Sequence, residues 1–186
     1  MPTLLIVVGV VVVLGVIIAL MYNGLVRGRL RVDEAWAQID VQLRRRHDLI
    51  PNLVNAVKGY MDFEQDTLTR VTEARANAVA AGAQGPAEAA RAENQLTGTL
   101  RSLFAVMENY PQLRASENVS RLQEELTTTE NQISFSRQHY NATVLSYNTS
   151  IATIPTSIIA GMFGFARREF FEAGEDAQAV PEVRLR

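Results

Sequence analysis

The chain has 186 residues, a formal net charge of −2 and no cysteine. This length suits one folded domain, and the small net charge argues against a general nucleic-acid-binding protein, which is usually strongly basic. The lack of cysteine excludes disulfides, thiolate metal sites and a cysteine nucleophile. The charge is uneven, because residues 22–60 carry seven Lys or Arg against four Asp or Glu. A basic segment therefore precedes an acidic remainder.

An uncharged apolar segment runs from Leu4 to Met21. As a helix it would extend about 27 Å, which is close to the roughly 30 Å hydrocarbon core of a bilayer. A cleaved signal peptide is the alternative, but it would begin with basic residues, contain a shorter apolar region and end at a cleavage site of small residues. We therefore predict a retained single-pass transmembrane anchor over residues 1–22.

The charges that flank this segment predict its orientation. No Lys or Arg precedes it, whereas Arg27, Arg29 and Arg31 follow it closely. By the positive-inside rule, the N-terminus lies outside and the domain of residues 23–170 lies in the cytoplasm. The three arginines are predicted to contact lipid headgroups, because they lie just beyond the span.

Apolar residues recur every three or four positions after the anchor, which predicts one face of a long helix. The stripe consists of Val32, Trp36, Ile39, Leu43, Ile50, Leu53, Val57 and Tyr60. The spacing continues beyond it, so we predict one helix from the membrane to about Val79. Pro51 should kink this helix, because proline removes the hydrogen bond to the carbonyl of His47. The alternative is a true break, with Asp48 capping a second helix.

Two further long helices are predicted. The glycines and proline between Gly82 and Pro86 separate the first helix from a second one that ends at Tyr110. Ser116 is the predicted N-cap of a third helix, which has the clearest heptad pattern of the chain and is typical of a coiled coil. Its apolar positions are Val119, Leu122, Leu126, Ile133, Tyr140, Val144, Tyr147 and Ile151, with Thr129 and Ser136 filling the gaps.

A short apolar helix and a polar segment end the chain. Pro155 is expected to stop or bend the third helix. The apolar residues 157–165 that follow should form a short fourth helix, which we expect to cap the open end of a helical bundle. An exposed apolar end would instead be an interaction site. Residues 171–186 are polar and without period, which predicts a mobile tail. The sequence thus predicts an all-α fold, with three long helices and one short helix after the transmembrane helix.

A basic cluster at residues 44–47 is the sharpest polar feature. One interpretation is a partner-docking patch formed by Arg44, Arg45 and His47. The other is a solvated helix face, with the inward-facing Arg46 paired to a carboxylate of another helix. The carboxylates considered for that pair are Glu124, Glu125 and Glu130.

Two Tyr-Asn dipeptides lie one heptad apart in the third helix: Tyr140 with Asn141, and Tyr147 with Asn148. Buried tyrosine hydroxyls and asparagine amides would form a polar layer that fixes helix register. An exposed recognition stripe is the alternative. Neither interpretation requires a ligand.

The sequence contains no recognisable reaction centre. Neither histidine follows a Glu at the spacing of a di-iron site, and the sequence lacks the HExxH, GxxxxGK[ST] and GxSxG motifs. We therefore predict no catalytic residues, no metal site and no cofactor.

Five stretches of the sequence carry a family resemblance: YNGLVRGRLRVDEAWAQIDVQLRRRHDLIPNLVNAVKGY, ENYPQLRASEN, LQEELTTTENQISFSRQHYNATVLSYNT, IPTSIIAGMFGF and PEV. Together they resemble the LemA family of bacterial membrane proteins, over nearly the whole chain. Gly28 departs from the family, which usually has a bulkier apolar residue there, and so does the final RLR, which replaces an aromatic. The glycine is expected to loosen the helix just outside the membrane.

The resemblance implies an antiparallel up-and-down four-helix bundle on a single N-terminal span, facing the cytoplasm. It implies no established catalytic activity, cofactor or substrate. We predict a membrane-anchored scaffold or adaptor, not an enzyme, at the cytoplasmic face of the bacterial inner membrane.

The expected partners are the lipid bilayer and either further copies of the chain or an envelope membrane protein. No nucleic acid and no small-molecule substrate is indicated. The alternative is a regulatory or sensor subunit of an envelope complex, in which Pro51 transmits a change between the anchor and the bundle.

Overall fold

All regular structure in the described residues is helical, which confirms the predicted all-α class. The computed structural model describes residues 2–61 and 64–171. Within these ranges the helices are α1 (Pro2–Lys58), α2 (Gln65–Ala81), α3 (Pro86–Met107), α4 (Pro111–Arg114), α5 (Glu117–Ala152) and α6 (Thr156–Phe163). Contacts divide the chain into two compact units.

The first unit comprises Met1–Gln38 and Gln138–Glu169. It contains the apolar start of α1. Among the described helices, α1 is the one that is long and apolar enough to cross a membrane, and no residue of its most apolar 18-residue stretch is buried. Beyond it, Val32 and Ala35 of α1 and Val144 of α5 are buried. The Trp36 and Tyr140 rings pack with their centroids 5.6 Å apart.

Gly28 is where α1 and α5 approach closely. A Cβ atom at this position would lie 3.2 Å from Cδ2 of Tyr147, which is tighter than an ordinary van der Waals contact. The glycine therefore makes room for the tyrosine ring. Its predicted loosening of the helix remains a prediction, and α1 continues through it.

The second unit comprises Ile39–Arg137 and Phe170–Arg186. Its core is formed by residues of α1, α2, α3, α4 and α5 and by Met61, which follows α1. In chain order these residues are Ile50, Leu53, Val57, Met61, Leu68, Val71, Ala74, Ala78, Leu96, Leu100, Leu103, Met107, Leu113, Val119, Leu122 and Leu126. These residues recur at helical spacing on each element, so burying one stripe per helix forms the core. The eight apolar heptad positions predicted for the third long helix are all buried in α5.

The prediction of one helix from the membrane to Val79 is wrong. The helix α1 ends at Lys58 and α2 starts at Gln65, so a turn separates them. The amide of Tyr60 donates to the carbonyl of Val57 at 3.0 Å in that turn. Tyr60, predicted to face inward, is 50% exposed, and Met61 is buried instead.

Pro51 does not end α1, so the alternative of a break capped by Asp48 is also wrong. Proline lacks the N–H that would bond to the carbonyl of His47. Arg75 of α2 supplies a replacement, because its Nε donates to that carbonyl at 2.6 Å. The defect in α1 is thus satisfied from a neighbouring helix, and the predicted kink stays a prediction.

The remaining boundaries are close to expectation. The helix α5 begins directly after Ser116, the predicted N-cap. The helix α6 begins at Thr156, one residue before the predicted start of the short helix. The helix α6 ends at Phe163, and Gly164, which follows it, has a left-handed φ of 70° that suits glycine at a helix C-terminus. Phe171, the first residue of the predicted tail, is buried, and residues 172–186 lie outside the described residues.

Replacing Arg75 by Met should destabilise the protein by about 1–3 kcal/mol, because it leaves the His47 carbonyl without its donor. The loss should shrink in a Pro51→Ala background, where residue 51 regains an N–H that can reach the same carbonyl. Denaturant unfolding of the full chain in detergent, followed by circular dichroism, gives the four free energies of this double-mutant cycle.

Arg70→Met on the exposed surface of α2 is the matched control and should have little effect. An equal cost of Arg75→Met in both backgrounds would contradict the role assigned to Arg75.

Candidate functional site

A buried charged network in the second unit centres on Arg46. Its side chain is 3% exposed, and Nη1 lies 3.3 Å from Oε2 of Glu93 in α3. The same Nη1 lies 3.2 Å from Oε2 of Glu130 in α5, and Nη2 donates to the hydroxyl of Thr97 at 2.7 Å. A buried guanidinium therefore has two carboxylates and one hydroxyl as acceptors.

His47 completes the network from the next position of α1. Its Nε2 lies 2.6 Å from Oε1 of Glu93. An ionised carboxylate only accepts hydrogen bonds, so the imidazole is the donor. The two oxygens of Glu93 are thus divided between Arg46 and His47.

The network reaches solvent at Glu130, whose side chain is 43% exposed. A cavity of about 130 Å³ adjoins it, and its lining includes Arg46, Thr97 and Glu130 beside apolar Leu100 and Phe104. This volume has room for a few ordered waters.

The chemistry of this arrangement is charge compensation. The carboxylates and the bases bond to one another, and His47, at 8% exposure, offers little surface to a substrate. No group of three or more His, Asp or Glu within residues 2–61 and 64–171 is arranged to hold a metal ion. The network therefore fixes helices against each other more readily than it could act on a ligand.

Sequence reasoning found half of this site. Glu130 was among the partners expected for Arg46, whereas Glu93 was missed. A signal existed, because Glu93 stands three residues before Leu96 and in line with Leu100 and Leu103 of the buried stripe of α3. A carboxylate within an apolar stripe indicates a buried cation on a neighbouring helix.

The predicted patch of Arg44, Arg45 and His47 does not form as one surface. Arg44 and Arg45 are exposed, and Arg44 forms an ion pair at 2.6 Å with Asp40, one turn earlier in α1. His47 is buried beneath them, because its imidazole is bound to Glu93. The patch thus reduces to the two arginines, and its role in docking stays a prediction.

The three arginines predicted to contact lipid headgroups lie in the first unit. Arg27, Arg29 and Arg31 are all exposed. Arg27 donates from Nε to the carbonyl of Asn23 at 3.2 Å, and the guanidinium of Arg29 lies 5.8 Å from the ring centroid of Phe165. Their charges are directed outward, as a headgroup contact would require.

The Tyr-Asn dipeptides bind the segment that follows α6. The hydroxyl of Tyr140 donates to the carbonyl of Glu169 at 2.8 Å. The amide of Asn148 donates to the carbonyl of Arg168 and accepts from its backbone N–H, both at 2.9 Å. Arg168 also pairs with Asp33 of α1 at 2.6 Å.

These residues were expected to form a layer that fixes helix register. Tyr140, Tyr147 and Asn148 do lie at the inner face of α5, and Asn141 is half-buried beside them, but the hydrogen bonds described above are made to an irregular segment. Burial raises the pKa of the Tyr140 hydroxyl from its ordinary 10.0 to about 12, against the opposing charge of Arg168. Burial also raises the pKa of Tyr147.

The comparison with protein families decides the classification. The LemA family profile matches residues 35–185, which is most of the chain. The chain belongs to the LemA family. The long apolar helix and this membership together indicate a membrane-associated protein.

Curated relatives of this LemA family protein include magnetosome proteins. Magnetosome protein MamQ of Magnetospirillum gryphiswaldense is 24% identical over 174 residues, which cover 79% of this chain and 64% of the relative. Magnetosome protein MamQ 2 of Paramagnetospirillum magneticum is 25% identical over 171 residues, and the match covers 77% of this chain and 63% of the relative. Protein LemA of Metamycoplasma hominis is 26% identical over 155 residues, and the match covers 82% of this chain and 69% of the relative.

The chain thus spans less than two thirds of the length of the two magnetosome relatives. None of these names describes an enzyme.

Replacing Glu93 by Gln should lower the free energy of unfolding by about 3 kcal/mol or more, because it leaves the buried charge of Arg46 poorly compensated. Glu88→Gln on the same helix is the matched control. Glu88 pairs with Arg91 on the surface, so its loss should cost less than about 1 kcal/mol. Denaturant unfolding of the full chain measures both. Similar losses for the two variants would show that the network does not hold the second unit together.

The raised pKa of Tyr140 predicts a loss of stability at alkaline pH. Between the ordinary pKa of 10.0 and the folded pKa of about 12, the hydroxyl is protonated only in the folded chain. The unfolded state then binds fewer protons, so the free energy of unfolding falls as pH rises through this window.

Tyr140→Phe should lose about 1 kcal/mol at neutral pH, because it removes a hydrogen bond, and should show a shallower alkaline decline. Tyr60→Phe at the exposed turn is the control. Thermal unfolding at increasing pH makes the comparison, and an unchanged alkaline slope in the Tyr140 variant would refute the assignment.

Proposed function

We propose that this protein is a membrane-anchored helical scaffold or adaptor that acts by protein–protein interaction or self-assembly. Its span would cross the bacterial inner membrane once, with the N-terminus outside and the remainder in the cytoplasm. The position of Arg27, Arg29 and Arg31 after the span supports this orientation.

The observation that carries the proposal is the continuity of α1. Its first part is uncovered and apolar, as a membrane span requires, and its later part contributes Ile50, Leu53 and Val57 to the core of the second unit. No turn or loop interrupts it from Pro2 to Lys58. A helix that would cross the bilayer and also contributes to a folded core would tether that core to the membrane.

We infer that the second unit is an antiparallel four-helix bundle with coiled-coil-like packing. The support is that α1, α2, α3 and α5 each contribute a buried stripe to one core. The chain links α2 to α3 through a short loop, which favours antiparallel neighbours. The family resemblance implies the same arrangement.

Self-assembly is favoured by apolar side chains left on the surface of the second unit. Phe135 of α5 is 76% exposed and Val41 of α1 is 61% exposed. Large exposed aromatics of this kind often anchor protein interfaces. Arg44 and Arg45, which are also exposed on α1, would orient a partner by charge.

Light scattering of the full chain in mild detergent, with the detergent mass subtracted, tests the proposal. We expect a mass of several chains, and we expect Phe135→Ser to lower it. Ser134→Ala, at the neighbouring exposed position of α5, is the control and should leave the mass unchanged. A monomer in the unsubstituted protein would exclude self-assembly.

A monomer would direct the test to envelope partners. Affinity capture from membranes should then retrieve a membrane protein, and reversing Arg44 and Arg45 to Glu should abolish its capture. If neither assembly nor charge-dependent capture occurs, the scaffold proposal is refuted.

The regulatory alternative has one supporting observation. Arg75 bonds to the carbonyl that Pro51 leaves open, so this turn of α1 depends on the position of α2. A sensor should therefore show partner-dependent changes in amide exchange around Pro51, whereas a passive scaffold should not.

A further inference from the structure

One face of α6 and the residue that leads into it is apolar and uncovered. Ile154 is 82% exposed, Ile158 60%, Met162 70% and Phe163 53%. Ile158 and Met162 lie one turn apart in α6, so they follow one another along the same face. Ile154 is exposed in the turn before the helix. The opposite face is packed, since Ile159 and Ala160 are buried. A short helix that exposes its largest apolar side chains is expected to bury them against a lipid or protein surface.

The C-terminal end of α6 lies beside the end of the apolar run of α1. Tyr22 directly follows the apolar run, and its ring centroid is 4.9 Å from that of Phe163 and 5.7 Å from that of Phe165. Aromatic side chains are enriched at the level of lipid headgroups, where the hydrocarbon core ends. The contact therefore sets α6 at the boundary that the span itself defines.

The surrounding charges suit a lipid surface. No Asp, Glu, Lys or Arg occurs from Gln138 through Ala166, so α6 and its flanks can enter an apolar phase without burying a charge. The cations lie next to this stretch: Arg29 is 5.8 Å from the Phe165 ring, and Arg167 is exposed. An apolar helix face bordered by basic residues is typical of helices that lie in the plane of a membrane interface.

We propose that α6 is a second membrane contact, lying in the interface of the bilayer with Ile158 and Met162 in contact with the acyl chains. The proposal rests on the transmembrane anchor of the proposed function, but not on the scaffold role. A second copy of the chain could also cover an apolar face. The lipid is favoured because Tyr22 contacts Phe163 at the end of α6, and because the charge-free stretch that contains α6 is bordered by cations suited to anionic headgroups.

The contact has a mechanical consequence. A single transmembrane helix can rotate about its own axis and tilt within the bilayer. The helix α6 is fixed to the first unit, because Asn148 and Tyr140 hold the segment that follows it. A second attachment off the axis of α1 would therefore restrict the rotation of the first unit relative to the membrane.

The absence of cysteine allows a direct test with single-cysteine variants of the full chain. The Ile158→Cys and Met162→Cys variants are each labelled at the new cysteine with an environment-sensitive fluorophore. The labelled proteins are then reconstituted in vesicles of phosphatidylethanolamine and phosphatidylglycerol. The vesicles contain nitroxide lipids whose quencher is either near the headgroup or deep in the acyl chain. Phe135→Cys is the matched control, since Phe135 is an apolar residue of the second unit that is at least as exposed as Ile158 and Met162. Val12→Cys reports on the anchor.

We expect strong quenching at positions 158 and 162, greater with the shallow quencher than with the deep one, and little at position 135. The label at position 12 should be quenched most by the deep nitroxide. If positions 158 and 162 are quenched no more than position 135 while position 12 is quenched, the proposal is overturned and the anchor stands. If position 12 also escapes quenching, the anchor and the interfacial contact both fail.

Discussion

The second unit depends on compensating the buried charge of Arg46. A guanidinium removed from water destabilises a fold unless acceptors surround it, and here Glu93, Glu130 and Thr97 provide them. These acceptors belong to α3 and α5, so the charge is satisfied only when those helices are at their places beside α1. Apolar stripes alone tolerate sliding and rotation of helices, whereas a buried ion network has few satisfactory registers.

The neighbouring turn of α1 extends this constraint to α2. Pro51 leaves the carbonyl of His47 open, and Arg75 closes it, while the imidazole of His47 binds Glu93. Adjacent positions of one helix thus make polar contacts with all three other long helices. The proline would be a defect in an isolated helix, but here it creates an acceptor that a second helix can recognise. The polar groups specify the arrangement, and the apolar core supplies the greater part of the stability.

Periodicity predicted the helices and their buried faces, because burying one stripe is what makes an amphipathic helix stable. It could not predict the end of α1 at Lys58, since the same spacing continues into α2 and a turn that conserves the apolar face leaves the pattern intact. Gly59 was the local signal. The partner of Arg46 was predicted in part, because Glu130 and Glu93 are distant in sequence and pairing depends on tertiary register. His47 was misplaced because an imidazole suits both surfaces and interiors.

The two units solve the burial of polar groups differently. The second unit buries charges and pairs them, whereas α5 and α6 of the first unit bring no Asp, Glu, Lys or Arg between Gln138 and Ala166. There the interior polar groups are neutral, and Tyr140 and Asn148 hydrogen-bond to backbone atoms of the segment that returns from α6. The ion pair of Arg168 with Asp33 also belongs to this unit, but its side chains are 40% and 51% exposed, so water solvates both charges. The buried charged side chains of the described residues, Arg46 and Glu93, therefore belong to the second unit, whereas the first unit uses neutral hydrogen bonds in its interior.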